Sequence, residues 1–237
     1  VDDDGHENSE NIFGSIEEDA WRRDFTVNSL YYNIEDFSII DYTGGIVDLR
    51  ERVMRIVGDP EKRFTEDPVR LLRAIRLAAK LGFSMHPETD KVVLARPDLL
   101  SQVPPSRIFH EFLKLFFFGH ATVTYSKMTE YGYMKALFPG VSQVLTERAL
   151  PTDLKLIDRA LKATDDRFHA KKSINPGFLV AVFLWPVVRF HEQQLKDIER
   201  KPHARFMRAM DLALSNASEL MHLPHRMVAM IRAMWRM

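Results

Sequence analysis

Residues 65–82, TEDPVRLLRAIRLAAKLG, carry two opposed faces on one helical repeat. Leu71, Leu72, Ala74, Ile75, Ala78, Ala79 and Leu81 fall on one broad side at 3.6 residues per turn. Arg70, Arg73, Arg76 and Lys80 fall on the other. A chain built around this stretch must bury one side of the helix and leave a cationic stripe on the opposite side. Thr65 reads as the N-cap, with Glu66 and Asp67 in a first turn where the helix dipole favours negative charge. Pro68 is tolerated there, because first-turn N–H groups have no intrahelical partner, and Gly82 is a natural stop. A stripe of this kind is commonly a solvated face. It also suits phosphates and base edges, since arginine is a rigid fork of donors. Asp67 and Arg70 lie i, i+3 and can share one surface, a pair able to read the edge of a nucleobase.

The 237 residues allow one large or two to three small domains, and 46% hydrophobic residues supply a core. The formal net charge is zero, so bulk charge does not announce a nucleic-acid partner. The distribution is more telling: eight acidic residues precede the first basic one, Arg22, and basic residues cluster later. There is no cysteine, which excludes disulfides and thiolate metal sites and fits a reducing compartment. The longest apolar run, 178–188, is too short to span a bilayer and contains Pro186. No transmembrane segment or signal peptide is expected, and a cytoplasmic location is. The chain starts at Val1 and ends in MVAMIRAMWRM, which reads as a helix, so it is expected to be a fragment cut at both ends.

Residues 1–10, VDDDGHENSE, read as a solvated acidic loop. Asp2 and Asp4 have the Asp-x-Asp spacing used in two-metal phosphoryl transfer, but no rigid element flanks them. Residues 11–33, NIFGSIEEDAWRRDFTVNSLYYN, are the densest stretch. Locally, Asp24 reads as the N-cap of a helix over 25–32, and Arg22 and Arg23 as partners of Glu18 and Asp19. Residues 87–119 read as helical, broken at Pro97 and at Pro104-Pro105, with Ser106 as the cap of the second part. The Phe116–Phe117–Phe118 triplet reads as core rather than as a base-stacking platform. Residues 121–144 read as a helix, with a turn at 137–140; 154–162 as a helix; 164–176 as a polar loop bearing Lys171 and Lys172; and 178–188 as a buried helix. Residues 191–208, which include Arg205, read either as an RNA-tracking basic run or as an exposed helix face. The Met-rich stretch 217–237 reads as amphipathic.

RRDFTVNSLYYN resembles the RRDFT-[IV]-N motif of class II template-independent nucleotidyltransferases, the superfamily of bacterial poly(A) polymerases and tRNA CCA-adding enzymes. DYTGGIVDL at 41–49 resembles its hinge between head and neck. RIVGDPEKRFTEDPVRLLRAIRLAAKLGF at 55–83 resembles its nucleotide-selecting and neck-helix motifs. The likeness is clear from residue 11 to about 118 and weaker beyond. Ser-Leu-Tyr-Tyr after Asn28, DYTGG and SINPGFLVAVFLWP favour the poly(A) polymerase branch.

The resemblance implies a mainly α chain. The C-terminal remnant of an α/β nucleotidyltransferase head would occupy 1–57 and pack loosely. A helical neck that selects the nucleotide and binds RNA would occupy 58–145, and a helical RNA-binding body 146–237. It implies that Arg23, Asp24 and Asn28 contact ribose and phosphate. Asp67 and Arg70 would read the base, with Arg73 and Arg76 supporting them. Glu66 would orient Arg70 or merely cap the helix. Lys80, Lys171, Lys172 and Arg205 are candidate RNA contacts. The phosphate-binding Gly-Ser element and metal-binding carboxylates of the family lie upstream of its RRDFT motif, so no catalytic or metal-ligating residue is assigned here. The implied reaction is addition of AMP from ATP to RNA 3′ ends, with Mg²⁺ held in the complete enzyme and RNA-decay proteins as partners. The chain alone is expected to be inactive. The alternatives are CCA addition to tRNA and a non-catalytic RNA-binding module.

Overall fold

Ser15 accepts from Glu18 N at 3.2 Å, and Glu18 accepts from Ser15 N at 2.8 Å; this reciprocal cap starts α1 (Ile16–Arg22). The structure is a computed structural model and describes residues 14–148 and 150–236. The acidic tract with Asp2 and Asp4 lies outside the described residues. The expected helix over 25–32 does not form. Phe25 instead bridges to Ile56, one 3₁₀ turn spans Thr26–Asn28, and β1 (Leu30–Tyr32) follows. Asp24 is therefore not a helix cap. Long-range pairing of Phe25, fully buried, overrides the local capping signal.

β1 pairs antiparallel with β2 (Ile39–Asp41), Leu30 facing Asp41. α2 (Gly45–Glu51) leads into β3 (Val53–Met54). Among the described residues, nine of the twenty large hydrophobics that stand exposed lie between Ile16 and Leu49, among them Trp21, Ile34 and Phe37.

The stretch 65–82 is two helices, not one. Asp59 accepts from Lys62 N at 2.8 Å and, with Pro60 behind it, starts α3 (Pro60–Glu66). Asp67 then turns extended, as a residue before proline must, and α4 (Val69–Leu81) begins after Pro68. Thr65 and Glu66 thus close α3 rather than open α4. Gly82 ends α4 with φ 66°, as expected. Leu71, Leu72, Ala74, Ile75, Ala78 and Ala79 are buried, joined by Val69; Leu81 is exposed, at the edge of the stripe.

β4 (Ser84–Met85) pairs parallel with β3. α5 (Pro87–Ala95), a 3₁₀ segment (Pro97–Gln102) and α6 (Pro105–Phe116) follow the breaks read at the prolines. Pro104, not Ser106, sits at the cap of α6, because Pro105 already fits the first helical position. The expected helix over 121–144 is three: α7 (Ala121–Glu130), α8 (Tyr133–Leu137) and α9 (Pro139–Arg148), divided at Gly132, φ 78°, and at Phe138, within the turn expected at 137–140. α10 (Pro151–His169) runs through half of the expected polar loop, which shrinks to 170–175. α11 (Pro176–Gln194), α12 (Pro202–Met221) and α13 (His225–Trp235) complete the chain.

α11 is the central post of the C-terminal half. It packs on α9, α10, α12 and α13, and Val180, Phe183, Val187 and Val188 on it are buried. Phe116, Phe138 and Tyr125 surround Phe183, with ring centroids 5.5–5.7 Å away. Edge and stacked contacts of this kind add to the burial term. Trp235 donates to Ala181 O at 3.1 Å and pins α13 to α11. The core is continuous from Phe25 to Ile231, so α4 and α6 connect the motif-bearing segments to the helical body. No helix of the described residues is long and apolar enough to cross a membrane.

Candidate nucleotide-binding site

Three sequence motifs meet at one node. Thr26 Oγ1 donates to Asp48 Oδ2 at 2.7 Å, and Arg55 Nε donates to the same oxygen at 3.0 Å. Thr26 N donates to Arg55 O at 3.0 Å, and Val57 N to Asp24 O at 2.9 Å. The RRDFT, DYTGGIVDL and RIVGDP segments are thereby locked together. Asp41 fixes the second of them. Its Oδ1 accepts from Thr43, Gly44 and Gly45 N, and its Oδ2 from Ile46 N at 2.9 Å. Burial pushes the Asp41 carboxyl up, but these four donors outweigh it and hold it below its ordinary value. Gly45 is required for contact: a Cβ there would run into Thr26 O.

On this base stand the candidate residues. Asp24 is 8% exposed. Its Oδ1 accepts from Phe25 N at 2.8 Å and from Asn28 Nδ2 at 3.3 Å, and its Oδ2 ion-pairs with Arg73 of α4. Asp24, Asn28 and Arg73 are thus brought together. Arg23 is not part of that group. Its guanidinium pairs with Asp19 at 2.8 Å, as expected, and lies over the Tyr31 ring, 5.7 Å from the centroid. Glu18 is used by the cap of α1 rather than by Arg22.

The side chains of Asp67 and Arg70 do not bond to one another, although Arg70 N donates to Asp67 O at 3.0 Å. Asp67 accepts from Arg107 of α6 at 3.1 and 3.2 Å. Arg70 donates to Arg63 O at 2.9 Å and lies 3.6 Å from Glu66. Glu66 also pairs with Arg63 at 3.2 Å, so it holds two arginines and caps nothing. Arg63 in turn donates to Arg22 O at 3.0 Å and Arg23 O at 2.6 Å, tying α3 to the RRDFT segment. Burial, then the neighbouring Arg63 charge, pull Arg70 below the usual arginine value. A crowded, half-buried cation of this sort gains from an added acceptor or anion. Arg76 faces elsewhere: its Nε donates to buried Glu111 of α6 at 2.8 Å.

Of the candidate RNA contacts, Lys80, Lys171 and Lys172 are exposed. Arg205 is turned inward, 3.8 Å from Glu192 and with NH1 3.5 Å from Glu199 O. Arg63, Arg107 and Glu111 were not singled out from the sequence. Arg63 lies inside a recognised motif, but Arg107 pairs with Asp67 and Glu111 with Arg76 of α4 across 35 to 40 positions, which no local spacing reveals.

No group of three or more His, Asp or Glu is placed to hold a metal among the described residues. The carboxylates nearest the motif are committed: Asp24 to Asn28 and Arg73, Asp41 to four amides, Asp48 to Thr26 and Arg55. The described residues therefore do not fit a Mg²⁺ site.

Residues 1–55 match the family model described as Poly A polymerase head domain. Residues 82–145 match that of the Probable RNA and SrmB- binding site of polymerase A. The chain is 42% identical to Poly(A) polymerase I of Escherichia coli O6:H1 over 96% of its length and 49% of that protein. It is 45% identical to the CCA-adding enzyme of Bacillus subtilis over 44% of its length and 26% of that protein. In fold it is similar to a Thermotoga maritima CCA-adding enzyme solved in complex with tRNA, with a TM-score of 0.63 and 22% identity, covering 92% of this chain and 47% of that one. The chain belongs to the superfamily of bacterial poly(A) polymerases and CCA-adding nucleotidyltransferases. It spans about half the length of the curated relatives it matches.

Proposed function

We propose that the protein from which this chain comes adds AMP from ATP, without a template, to RNA 3′ ends. One observation carries the choice within the superfamily. Sequence likeness to Poly(A) polymerase I extends over 96% of the chain, whereas sequence likeness to the Bacillus CCA-adding enzymes covers 44% to 58% of it. In this reading Asp24 and Asn28 hold the ribose, Asp67 and Arg70 face the base, and Arg73 keeps Asp24 in place. Arg76 supports α4 through Glu111. Mg²⁺ would be held outside the described residues, so this chain supplies nucleotide selection and RNA contact rather than the metal.

The test is nucleotide incorporation by the complete protein. It is offered plain RNA and tRNA lacking its CCA end, with each nucleotide separately. Long tails from ATP alone on plain RNA are expected. Addition that needs CTP and stops on tRNA would move the assignment to CCA addition. No incorporation on either substrate would leave RNA binding as the function. AMP incorporation by the isolated chain would overturn the division of labour proposed for it.

A further inference from the structure

Beyond the motif node, α4, α6 and the start of α7 enclose a separate cleft of about 210 Å³. Arg76, Lys80, Lys114, Phe118 and His120 line it, and no acidic residue does. Glu111 lies behind it, taking Arg76 Nε at 2.8 Å and Lys114 Nζ at 3.4 Å. Three full positive charges are thus set against one carboxylate. The volume is below the roughly 300 Å³ at which sites for whole small molecules begin, and suits a compact anion.

The rim is aromatic. The Phe triplet divides: Phe116 is fully buried, but Phe118 is 53% exposed and meets Phe168 of α10 edge-on at 6.1 Å. This rim is held rigidly. Gly119 has φ +82°, and a Cβ on it would come within 2.5 Å of Phe168 Cδ1. His169 Nε2 lies 3.0 Å from Gly119 O. Asp165 accepts from Ala121 N at 2.6 Å and from Thr122 N at 3.0 Å, fixing the start of α7. An exposed ring on a fixed turn beside a cationic cleft combines the two elements of single-strand recognition, a stacking surface and a phosphate seat.

We infer that this cleft is a nucleotide subsite for single-stranded RNA, with a backbone phosphate between Lys80, Lys114 and Arg76 and the adjoining base on Phe118. It rests on the RNA-directed function proposed above and adds a place where the strand is held, distinct from the Asp24–Arg73 group.

The experiment is fluorescence anisotropy of an end-labelled oligoriboadenylate titrated with this chain at several salt concentrations. Lys80→Ala and Lys114→Ala should each weaken binding and flatten the salt dependence, by about 0.7 in the log–log slope per lost phosphate contact. Phe118→Ala should weaken binding about tenfold or more with the slope unchanged, and Phe118→Tyr should restore it. On an oligomer of the same length with abasic sugars, Phe118→Ala should bind like the parent chain. Parent-like RNA binding by all three alanine variants would overturn the subsite and leave the RNA function standing. Equal losses for Phe118→Ala on both oligomers would overturn the stacking assignment. No RNA binding by the parent chain would remove the RNA reading itself, and the subsite with it.

Discussion

Arg73 of α4 ion-pairs with Asp24 of the RRDFT segment, and that contact joins the two stretches of the chain that carry its motifs. Asp24 is buried, while Arg73 retains partial exposure. Removing the arginine would strand a buried carboxylate. Breaking a fully buried pair costs about 3–5 kcal/mol, and the exposure of Arg73 lowers that. Arg73→Ala should therefore destabilise the chain by about 2 kcal/mol, read from the urea midpoint. Adding Asp24→Asn should recover at least half of the loss, since no charge is then stranded. A double variant no more stable than the single one would show that Arg73 acts through packing alone.

What the sequence made legible here follows from range of contact. The apolar side of α4 was readable because Leu71, Leu72, Ala74, Ile75 and Ala78 repeat at helical spacing, and Gly82 stops the helix by its own backbone freedom. The break at Asp67-Pro68 was hidden by a second start signal, Asp59-Pro60, which claims Thr65 and Glu66 for the preceding helix. The segment after Asp24 departs from the helix its local signals favour because Phe25 pairs with Ile56, far along the chain. For the site, motif likeness pointed to Asp24, Asp67, Arg70 and Arg73. That Arg73 meets Asp24, and that Asp67 and Arg70 are met by Arg107 and Arg63, is set by the packing of α3, α4 and α6, which spacing alone does not encode.

Gly45 permits α2 to start against Thr26, and its backbone lies outside the glycine-only region. Gly45→Ala should therefore act by collision with Thr26 O, a backbone atom that cannot swing away. A loss of about 1–3 kcal/mol is expected, the usual cost of overpacking a tight site. Gly44→Ala supplies a comparison of a different kind. Gly44 has open space but φ 82°, so its cost is backbone strain, roughly 1–2 kcal/mol. Both are measured by urea unfolding. In the Gly45 variant alone, amide exchange at Thr26 and Asp48 should quicken.

The Asp41 carboxyl is held low by four amide donors despite its burial. Its folded value lies below its unfolded one, so the unfolded chain binds the extra proton. The stability it contributes is complete above the unfolded value, near 3.9, and is lost as pH falls through the folded value. Unfolding free energy measured from about pH 6 downward should accordingly fall less steeply below about pH 4 in Asp41→Asn than in the parent chain. Parallel acid limbs would mean that the loop does not depend on the charge.

Arg70 offers the sharpest test of the site. It is half-buried beside Arg63, bound to Arg63 O and close to Glu66, with Asp67 nearby engaged by Arg107. A cation so placed has little to give a flexible RNA strand and much to give a ligand that enters the group. In the complete enzyme, Arg70→Ala should lower the ratio of kcat/KM for ATP over CTP by about tenfold or more, the value of one lost hydrogen-bonding partner. The Kd for RNA should change by less than about twofold, because no phosphate contact is removed. Arg76→Ala is the matched control: it deprives buried Glu111 of its closest partner and should lower stability while leaving the ATP to CTP ratio near that of the parent. Unchanged discrimination in Arg70→Ala would refute its role in reading the base. Loss of discrimination in both variants would instead make the integrity of α4, not the Arg70 guanidinium, the determinant of base choice.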